Sequence, residues 1–218
     1  MGPSAVQDKN NVQSNLDEKP RAKRMSAEAR HHQILMCAIN VFAENGLINA
    51  KHTDVAAQAK VSIPTVFHYF PTLEGLQAAV LHEIHYHFTE NLIGSLLHQS
   101  CRPAYERIED LLISFGEAMD GKDNAYITVW LEWSGFTRGF TWGLYQDFYR
   151  DATFAIRKIL LQGRKDNSIS QAINAADAAR VIMGMAHTIA HMRYSGCSQR
   201  VIHKTVHSLV LTYIAPNK

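Results

Sequence analysis

Residues 52–76, HTDVAAQAKVSIPTVFHYFPTLEGL, contain two short helical patterns joined by a tight turn. The first pattern covers residues 52–59, where apolar side chains recur at helical spacing. The second begins after Ser62, a good N-cap, and has Pro64 in its first turn, where a missing backbone N–H costs nothing. Pro71 then ends it. This pattern alone predicts either an ordinary helical hairpin or a helix-turn-helix, the arrangement that lays its second helix in the major groove of DNA.

Helical spacing continues on both sides of this stretch. Before it, one helix is predicted from the N-cap Ser26 to Gly46, and after it a long fourth helix runs from Leu73 to Phe88. Further helices are predicted near residues 103–119, 125–135, 142–162, 175–195 and 198–214. No stretch has a strand pattern, so we expect an all-α fold with an N-terminal three-helix helix-turn-helix domain and a larger C-terminal helical domain.

Composition divides the chain into three parts. Residues 1–20 are polar, with too few large apolar groups to fold, and we expect a disordered tail. Residues 21–71 hold a short basic arm and the helix-turn-helix, which together form the predicted DNA-binding domain. Residues 72–218 form the predicted helical domain for ligand binding and dimerisation.

Positive charge is concentrated near the N-terminus. Residues 19–71 contain seven Lys and Arg against three acidic residues, whereas residues 72–218 contain fourteen of each. A local positive potential attracts a polyanion such as DNA even when the net charge of the whole chain is only +2.

The predicted DNA contacts divide into those that read bases and those that hold phosphates. The start of the second helix reaches the base edges. Its candidates for base contacts are Ser62, Ile63, Pro64, Thr65 and His68. The candidates for phosphate contacts, which fix the register without reading sequence, are Lys51, Thr53 and Tyr69.

Residues 30–80 resemble the TetR family of regulators, above all in the run from His52 to Leu76. That resemblance implies a transcriptional regulator that binds DNA as a dimer. Two positions depart from the family pattern. Lys60 stands where many members have Gly, and Leu73 replaces a common Lys whose ammonium meets a phosphate.

Within that family the chain is similar to the LuxR/HapR-type quorum-sensing master regulators. The similarity rests on VSIPTVFHYFPT at 61–72, on VWLEWSGFTR at 129–138 and on WGLY at 142–145. It implies that the basic arm enters the minor groove. The arm residues are Arg21, Lys23 and Arg24.

An aromatic group occupies the second of these blocks and the helix after it. Its members are spaced by three and four residues, so helices would bring each set to one face: Trp130, Trp133, Tyr145, Phe148 and Tyr149. Such a stripe forms either core or the wall of a mostly apolar ligand pocket. The resemblance favours a pocket for a small ligand of unknown identity. Because Tyr145 and Tyr149 would give this pocket hydroxyl groups, we expect a ligand that is more polar than a hydrocarbon.

The last two predicted helices have wide apolar faces. They can form a private core or pair with the same helices of a second copy, and the resemblance implies a homodimer through a four-helix bundle. Small residues such as Ala178, Gly184 and Ala186 permit the close approach of helices.

Compartment is indicated by cysteine usage and hydropathy. Cys37, Cys101 and Cys197 are far apart and odd in number, which favours reduced thiols in a cytoplasmic protein. No stretch approaches the roughly 18 to 20 apolar residues that span a bilayer, so we expect no membrane association and a cytoplasmic, nucleoid-associated protein.

Metal and enzyme functions have little support in the sequence. His187 and His191 are four residues apart on a predicted helix, but Thr188 stands where a zinc protease has its glutamate base. There is no glycine-rich phosphate loop, GxSxG elbow or nucleophile with a partnered base. Glu132 and Arg138, the charges of the aromatic block, are interpreted as a structural pair. We therefore expect no enzyme activity, no metal and no cofactor.

Three functions remain in unequal order. The first is a quorum-sensing-type global regulator that activates and represses from pseudo-palindromic operators. The second is a local repressor of an efflux or catabolic operon, released by a small aromatic or apolar ligand. The third, a metal-dependent enzyme, has the least support.

Overall fold

The computed structural model describes residues 25–121 and 123–216. The predicted tail at 1–20 and the arm residues Arg21, Lys23 and Arg24 lie outside the described residues. Within those ranges the chain is helical and contains no strand, so the predicted all-α class is confirmed.

Nine helices follow one another along the described chain. They are α1 (Ala27–Asn45), α2 (His52–Ala59), α3 (Ile63–Tyr69), α4 (Leu73–Tyr86), α5 (Ala104–Ala118), α6 (Asn124–Gly135), α7 (Gly139–Lys165), α8 (Ala175–Tyr194) and α9 (Gln199–Tyr213). Beyond Tyr86, α4 continues as a π-helical segment, His87–Gly94, and a last turn, Ser95–Leu97. The predicted helices are confirmed, although α7 extends three residues further at each end than the sequence pattern indicated.

Side-chain caps fix the starts of three N-terminal helices. Ser26 accepts from the Ala29 N–H at 3.1 Å, and Ser62 accepts from the Thr65 N–H at 3.3 Å. Thr72 does the same for the Gly75 N–H at 3.0 Å. Each cap satisfies one of the backbone donors that a helix leaves free at its N-terminus. The starts of α1, α3 and α4 are therefore set by local chemistry.

The turn between α2 and α3 depends on an unusual backbone at Lys60. Lys60 has φ 54° and ψ 45°, the left-handed region that costs a non-glycine residue about 1 to 2 kcal/mol. Its N–H bonds to carbonyls at the end of α2, so the position closes that helix. The residue that departs from the family pattern thus adopts the conformation that a glycine would adopt without strain.

The larger domain packs α5, α7 and α8 around one apolar core, with α9 lying on α5 and α6 lying between this core and α1. The closest approach is at Gly163 in α7, where a Cβ would lie 2.4 Å from the Cβ of Ala104 and 2.9 Å from Cγ2 of Ile169. Only glycine fits at this contact, because both neighbours are held in the core.

Replacing Gly163 with Ala is expected to lower the free energy of unfolding by about 1 to 3 kcal/mol, the usual cost of overpacking. Gly143→Ala in the same helix is the matched control, because a Cβ there meets nothing within 4 Å. Alanine should stabilise that position by up to about 1 kcal/mol. Urea midpoints measure both variants, and equal midpoints would contradict the proposed clash.

None of the helices in the described ranges is both long and apolar enough to cross a membrane.

Candidate nucleic-acid interface and ligand cavity

The N-terminal face of α3 is open to solvent. Ser62, Ile63, Pro64 and His68 are exposed, whereas Thr65 and Tyr69 are half-buried. The helix is anchored from behind by Val66, whose side chain is fully buried. Ser62, Ile63, Pro64 and Thr65 lie at the start of this helix, where a major groove would contact it, whereas His68 and Tyr69 lie in its last turn.

The back of α3 is held by a histidine that sequence reasoning did not single out. The imidazole Nε2 of His52 lies 2.8 Å from the carbonyl oxygen of Phe70, and its ring stacks on Phe67 at 4.2 Å with an interplanar angle of 5°. His52 is buried, so it fixes the end of α3 against the start of α2. A histidine at the head of an apolar pattern was the available signal, but its partner is eighteen residues away.

The predicted phosphate contacts Lys51 and Thr53 are exposed at the N-terminus of α2. The Lys51 backbone N–H donates to the Asp54 carboxylate at 3.0 Å, which closes the first turn of the helix. Lys51 is thus ordered at its backbone, and its side chain is exposed to solvent.

A surface cleft of about 440 Å³ lies between the start of α1 and α3. It is lined by Met25, Ala27, Arg30, Thr65 and Tyr69. The Arg30 guanidinium donates to Gln33 at 2.8 Å and keeps further donors available. Sequence reasoning missed Arg30; its place at the start of α1, close after the basic arm, was the signal.

The larger domain encloses a small apolar cavity of about 40 Å³. The π-helical segment of α4 contributes Phe88, Leu92 and Ile93 to its wall. The other walls come from α5, α6, α7 and α8, namely Leu111, Leu112, Phe115, Trp130, Phe148, Ile156, Ile182, Met183 and Ala186. A typical ligand pocket measures roughly 300 to 1,000 Å³, so this cavity is smaller than a pocket for a drug-sized ligand.

The five predicted pocket aromatics are divided by the structure. Trp130 and Phe148 line the cavity, whereas Trp133, Tyr145 and Tyr149 lie outside its lining. Trp133 donates its indole N–H to the Thr141 carbonyl at 2.8 Å. Burial raises the pKa of Tyr145 to about 12. The hydroxyls of Tyr145 and Tyr149, which were expected to contact a polar ligand, are therefore not on the cavity wall. The ring of Tyr145 packs instead against Trp142 and Tyr149 of the same helix.

The indole N–H of Trp130 is buried beside this cavity. Trp130 is 1% exposed, and its Nε1 donor has no hydrogen-bond partner among the described residues. The ring of His187 lies beside it, with centroids 4.2 Å apart. Burial lowers the pKa of His187 below its usual value, and its Nδ1 lies 3.0 Å from the Met183 carbonyl oxygen. Burial therefore favours the neutral form of His187 next to the cavity.

The connecting helix changes its hydrogen-bonding pattern where it meets the cavity. The π-helical segment His87–Gly94 follows the α-helical part of α4, which begins at Leu73, directly after its N-cap Thr72. Thr89 donates its hydroxyl to the His85 carbonyl at 2.8 Å across this junction. Short π-helical stretches occur frequently at functional sites.

An exposed apolar face lies on α8 and α9. Val181, Val201 and Leu209 are 43%, 48% and 39% exposed. A shallow groove between the two helices has Met185, Thr188, Met192, Thr205 and Leu209 among its lining residues. His207 on α9 lies 2.8 Å from the Glu109 carboxylate on α5, which fixes α9 on its own domain while this face remains open.

Comparison with known proteins agrees with this geometry. Residues 34–80 match the model of the tetR family of bacterial regulatory proteins. The transcriptional regulator LuxR of Vibrio harveyi, an HTH-type protein, is 27% identical over 175 residues, which are 80% of this chain and 83% of that protein.

Solved structures share the fold at lower identity. A transcriptional regulator of Saccharomonospora viridis, solved with choline, has a TM-score of 0.74 at 21% identity and covers 88% of this chain and all of its own. The regulator FadR of Bacillus subtilis, solved with stearoyl-CoA, has a TM-score of 0.67 at 21% identity and covers 83% of this chain and 97% of its own.

Proposed function

We propose that this chain is a transcriptional regulator of the tetR family that acts as a homodimer on pseudo-palindromic operators in a quorum-sensing-type regulatory role. The observation that carries the proposal is the exposed N-terminal end of α3, held from behind by Val66 and His52. A protein of this role works in the cytoplasm, on the nucleoid.

Recognition follows from the chemistry of α3. Ser62 and Thr65 offer hydroxyls to bases or phosphates, and Ile63 and Pro64 offer apolar contact to a thymine methyl group. Lys51, Thr53 and Tyr69 hold phosphates and so set the register of the helix. Arg30 joins this second group, because the cleft that it lines opens beside Thr65 and Tyr69.

The second copy is proposed to cover the apolar face of α8 and α9. In a symmetric dimer the two α3 helices would enter successive major grooves about 34 to 36 Å apart or somewhat more. Two half-sites related by symmetry then make the operator a pseudo-palindrome.

Ligand control is proposed to act through the cavity. A ligand would have to open the space of about 40 Å³, and it would shift the regulator only by its different affinity for the open and closed forms. The π-helical segment of α4 forms part of the wall, so expansion of the cavity would act directly on the helix that leads to the DNA-binding domain.

The second candidate function is a local repressor of an efflux or catabolic operon that a small apolar ligand releases. The apolar cavity favours it, and the solved relatives bound to choline and stearoyl-CoA show that this fold accommodates ligands. The similarity to LuxR favours the global role instead. Genome-wide mapping of bound sites separates the two, because a local repressor occupies few sites and these lie beside its own gene.

Selection of bound sequences from random duplex DNA, using the purified protein, tests the proposed function. We expect enrichment of a pseudo-palindrome with half-sites about one helical turn apart or somewhat more. Recovery of a random pool after repeated rounds would refute DNA recognition by this protein.

Replacing Ile63 with Ala is expected to relax the preference at one base pair of each half-site, because the contact with a thymine methyl is lost. The discrimination lost there should be about 5- to 150-fold, equivalent to about 1 to 3 kcal/mol. Competition between operator and single-base variants measures it. Lys51→Ala is the control, since loss of a phosphate contact should weaken all sequences alike and reduce the salt slope by about 1 per subunit. An unchanged base preference in Ile63→Ala would remove this residue from the reading surface.

A further inference from the structure

One carboxylate of the larger domain reaches into the DNA-binding domain. Both carboxylate oxygens of Glu132, on α6, accept the backbone N–H of Leu47 at 3.1 Å. The two residues are 85 positions apart, and Leu47 is buried. The sequence interpretation paired Glu132 with Arg138, but Arg138 is exposed in the structure and Glu132 is engaged here.

The turn that contacts this carboxylate has a glycine beside it and a second side-chain bond on its other side. Gly46 ends α1 with φ 83°, and a Cβ on it would lie 3.0 Å from Oε1 of Glu132. From the other side, the side-chain amide of Gln77 on α4 donates to the Leu47 carbonyl at 2.7 Å. The peptide groups on both sides of Leu47 are therefore held, one by α6 and one by the connecting helix.

Glu132 lies between two buried aromatic residues of α6. Trp130 is on the cavity wall, and Trp133 is fixed by its bond to the Thr141 carbonyl. A change of cavity size that displaces Trp130 must move the same short helix. The carboxylate of Glu132 would move with it, away from the Leu47 N–H.

The receiving turn leads directly to the DNA-contacting elements. Residues 46–51 join α1 to α2, and the proposed phosphate contact Lys51 stands at their end. A shift of this turn would therefore change where α2, and α3 behind it, lies against a duplex.

We propose that Glu132 is a positioning residue that seats the DNA-binding domain on α6 and transmits the state of the cavity to operator affinity through the Leu47 N–H. The inference rests on the proposed function, because operator affinity is the property that the contact is held to control.

The first test compares three variants of the full chain. Glu132→Ala removes both acceptors, Glu132→Gln keeps the size and one acceptor but loses the charge, and Glu44→Gln removes an equal charge from an exposed site near the same turn. Amide exchange at Leu47 should accelerate about 10- to 150-fold in Glu132→Ala, the factor for bonds to a charged acceptor, with partial rescue in Glu132→Gln. Operator Kd should rise by about 5- to 150-fold in Glu132→Ala and by a smaller factor in Glu132→Gln. Glu44→Gln should leave Leu47 exchange unchanged.

The second test asks whether the contact transmits. Ala186→Leu partly fills the cavity from α8 and serves as the probe in place of a ligand. Its effect on operator Kd should be present with Glu132 and absent with Glu132→Ala, which makes the two substitutions non-additive. An equal effect in both backgrounds, or none with Glu132, overturns transmission.

The outcomes also separate this inference from the proposed function. Unchanged Leu47 exchange and operator Kd within twofold in Glu132→Ala would overturn the positioning role while DNA recognition stands. A wild-type protein that prefers no duplex would overturn the proposed function, and Leu47 exchange would then still decide whether Glu132 holds the turn.

Discussion

Operator affinity is expected to fall by about 10³- to 10⁵-fold when salt is raised from 50 to 200 mM, if the dimer neutralises roughly six to ten phosphates. Each phosphate contact releases condensed counterions, so affinity depends on salt more steeply as contacts accumulate. The positive charge of residues 19–71, where seven basic residues face three acidic ones, is present twice in a dimer. Binding titrations at a series of salt concentrations measure the slope.

Two comparisons make the salt experiment specific. A duplex with a scrambled operator should be bound more weakly but still in a strongly salt-dependent way, because it keeps the phosphate contacts and loses the base contacts. Removal of residues 1–24 should reduce the slope while the preferred half-site sequence at α3 is retained. An operator Kd that changes less than about tenfold over the range would mean that the phosphate contacts assigned to Lys51 and its neighbours are not made.

The DNA-binding helices could be predicted because their signals are local. The N-caps Ser26 and Ser62 and the helix-ending Gly46 each act within a few residues, and the structure has a helix start or end at each of them. Hydrophobic spacing then fixes which face of each helix is inside, and Val66 is buried where that spacing requires it. Helix starts, helix ends and buried faces that depend on neighbouring residues can therefore be predicted from a single sequence.

The cavity wall could be predicted only in part, because it depends on how five helices come together. Spacing groups Trp133, Tyr145 and Tyr149 with Trp130, but it does not say which of them faces the empty space. The π-helical change in α4 that brings Phe88 to the wall has no signal in composition or spacing.

Long-range polar contacts lie beyond sequence reasoning for the same reason. His52 meets the Phe70 carbonyl, and Glu132 meets the Leu47 N–H, across separations of 18 and 85 residues. Each partner is a backbone group, which every residue possesses, so no residue type marks it in the sequence. The His52 contact joins the start of α2 to the end of α3, and the Glu132 contact joins α6 to the turn after α1.

Replacing Leu209 with Glu is expected to separate the dimer and weaken operator binding by about 10²- to 10⁴-fold. The proposed interface is apolar, and the free-energy cost of burying a carboxylate there without a partner exceeds the gain from the remaining contacts of that residue. Once the subunits separate, each α3 binds its half-site alone, and the gain from linking two binding modules is lost. Sedimentation velocity measures the subunit state, and operator titration measures the affinity.

Tyr86→Glu is the matched control for this substitution, because Tyr86 is a large exposed side chain, 57% accessible, on α4 and away from the α8 and α9 face. It introduces the same charge and should leave the subunits paired. Circular dichroism should give the same helix content for both variants, since Leu209 lies outside the buried core of its own subunit. A Leu209→Glu protein that stays dimeric would move the interface to another surface. A monomeric protein with undiminished operator affinity would show that a single α3 is enough, and the need for a pseudo-palindromic operator would disappear with it.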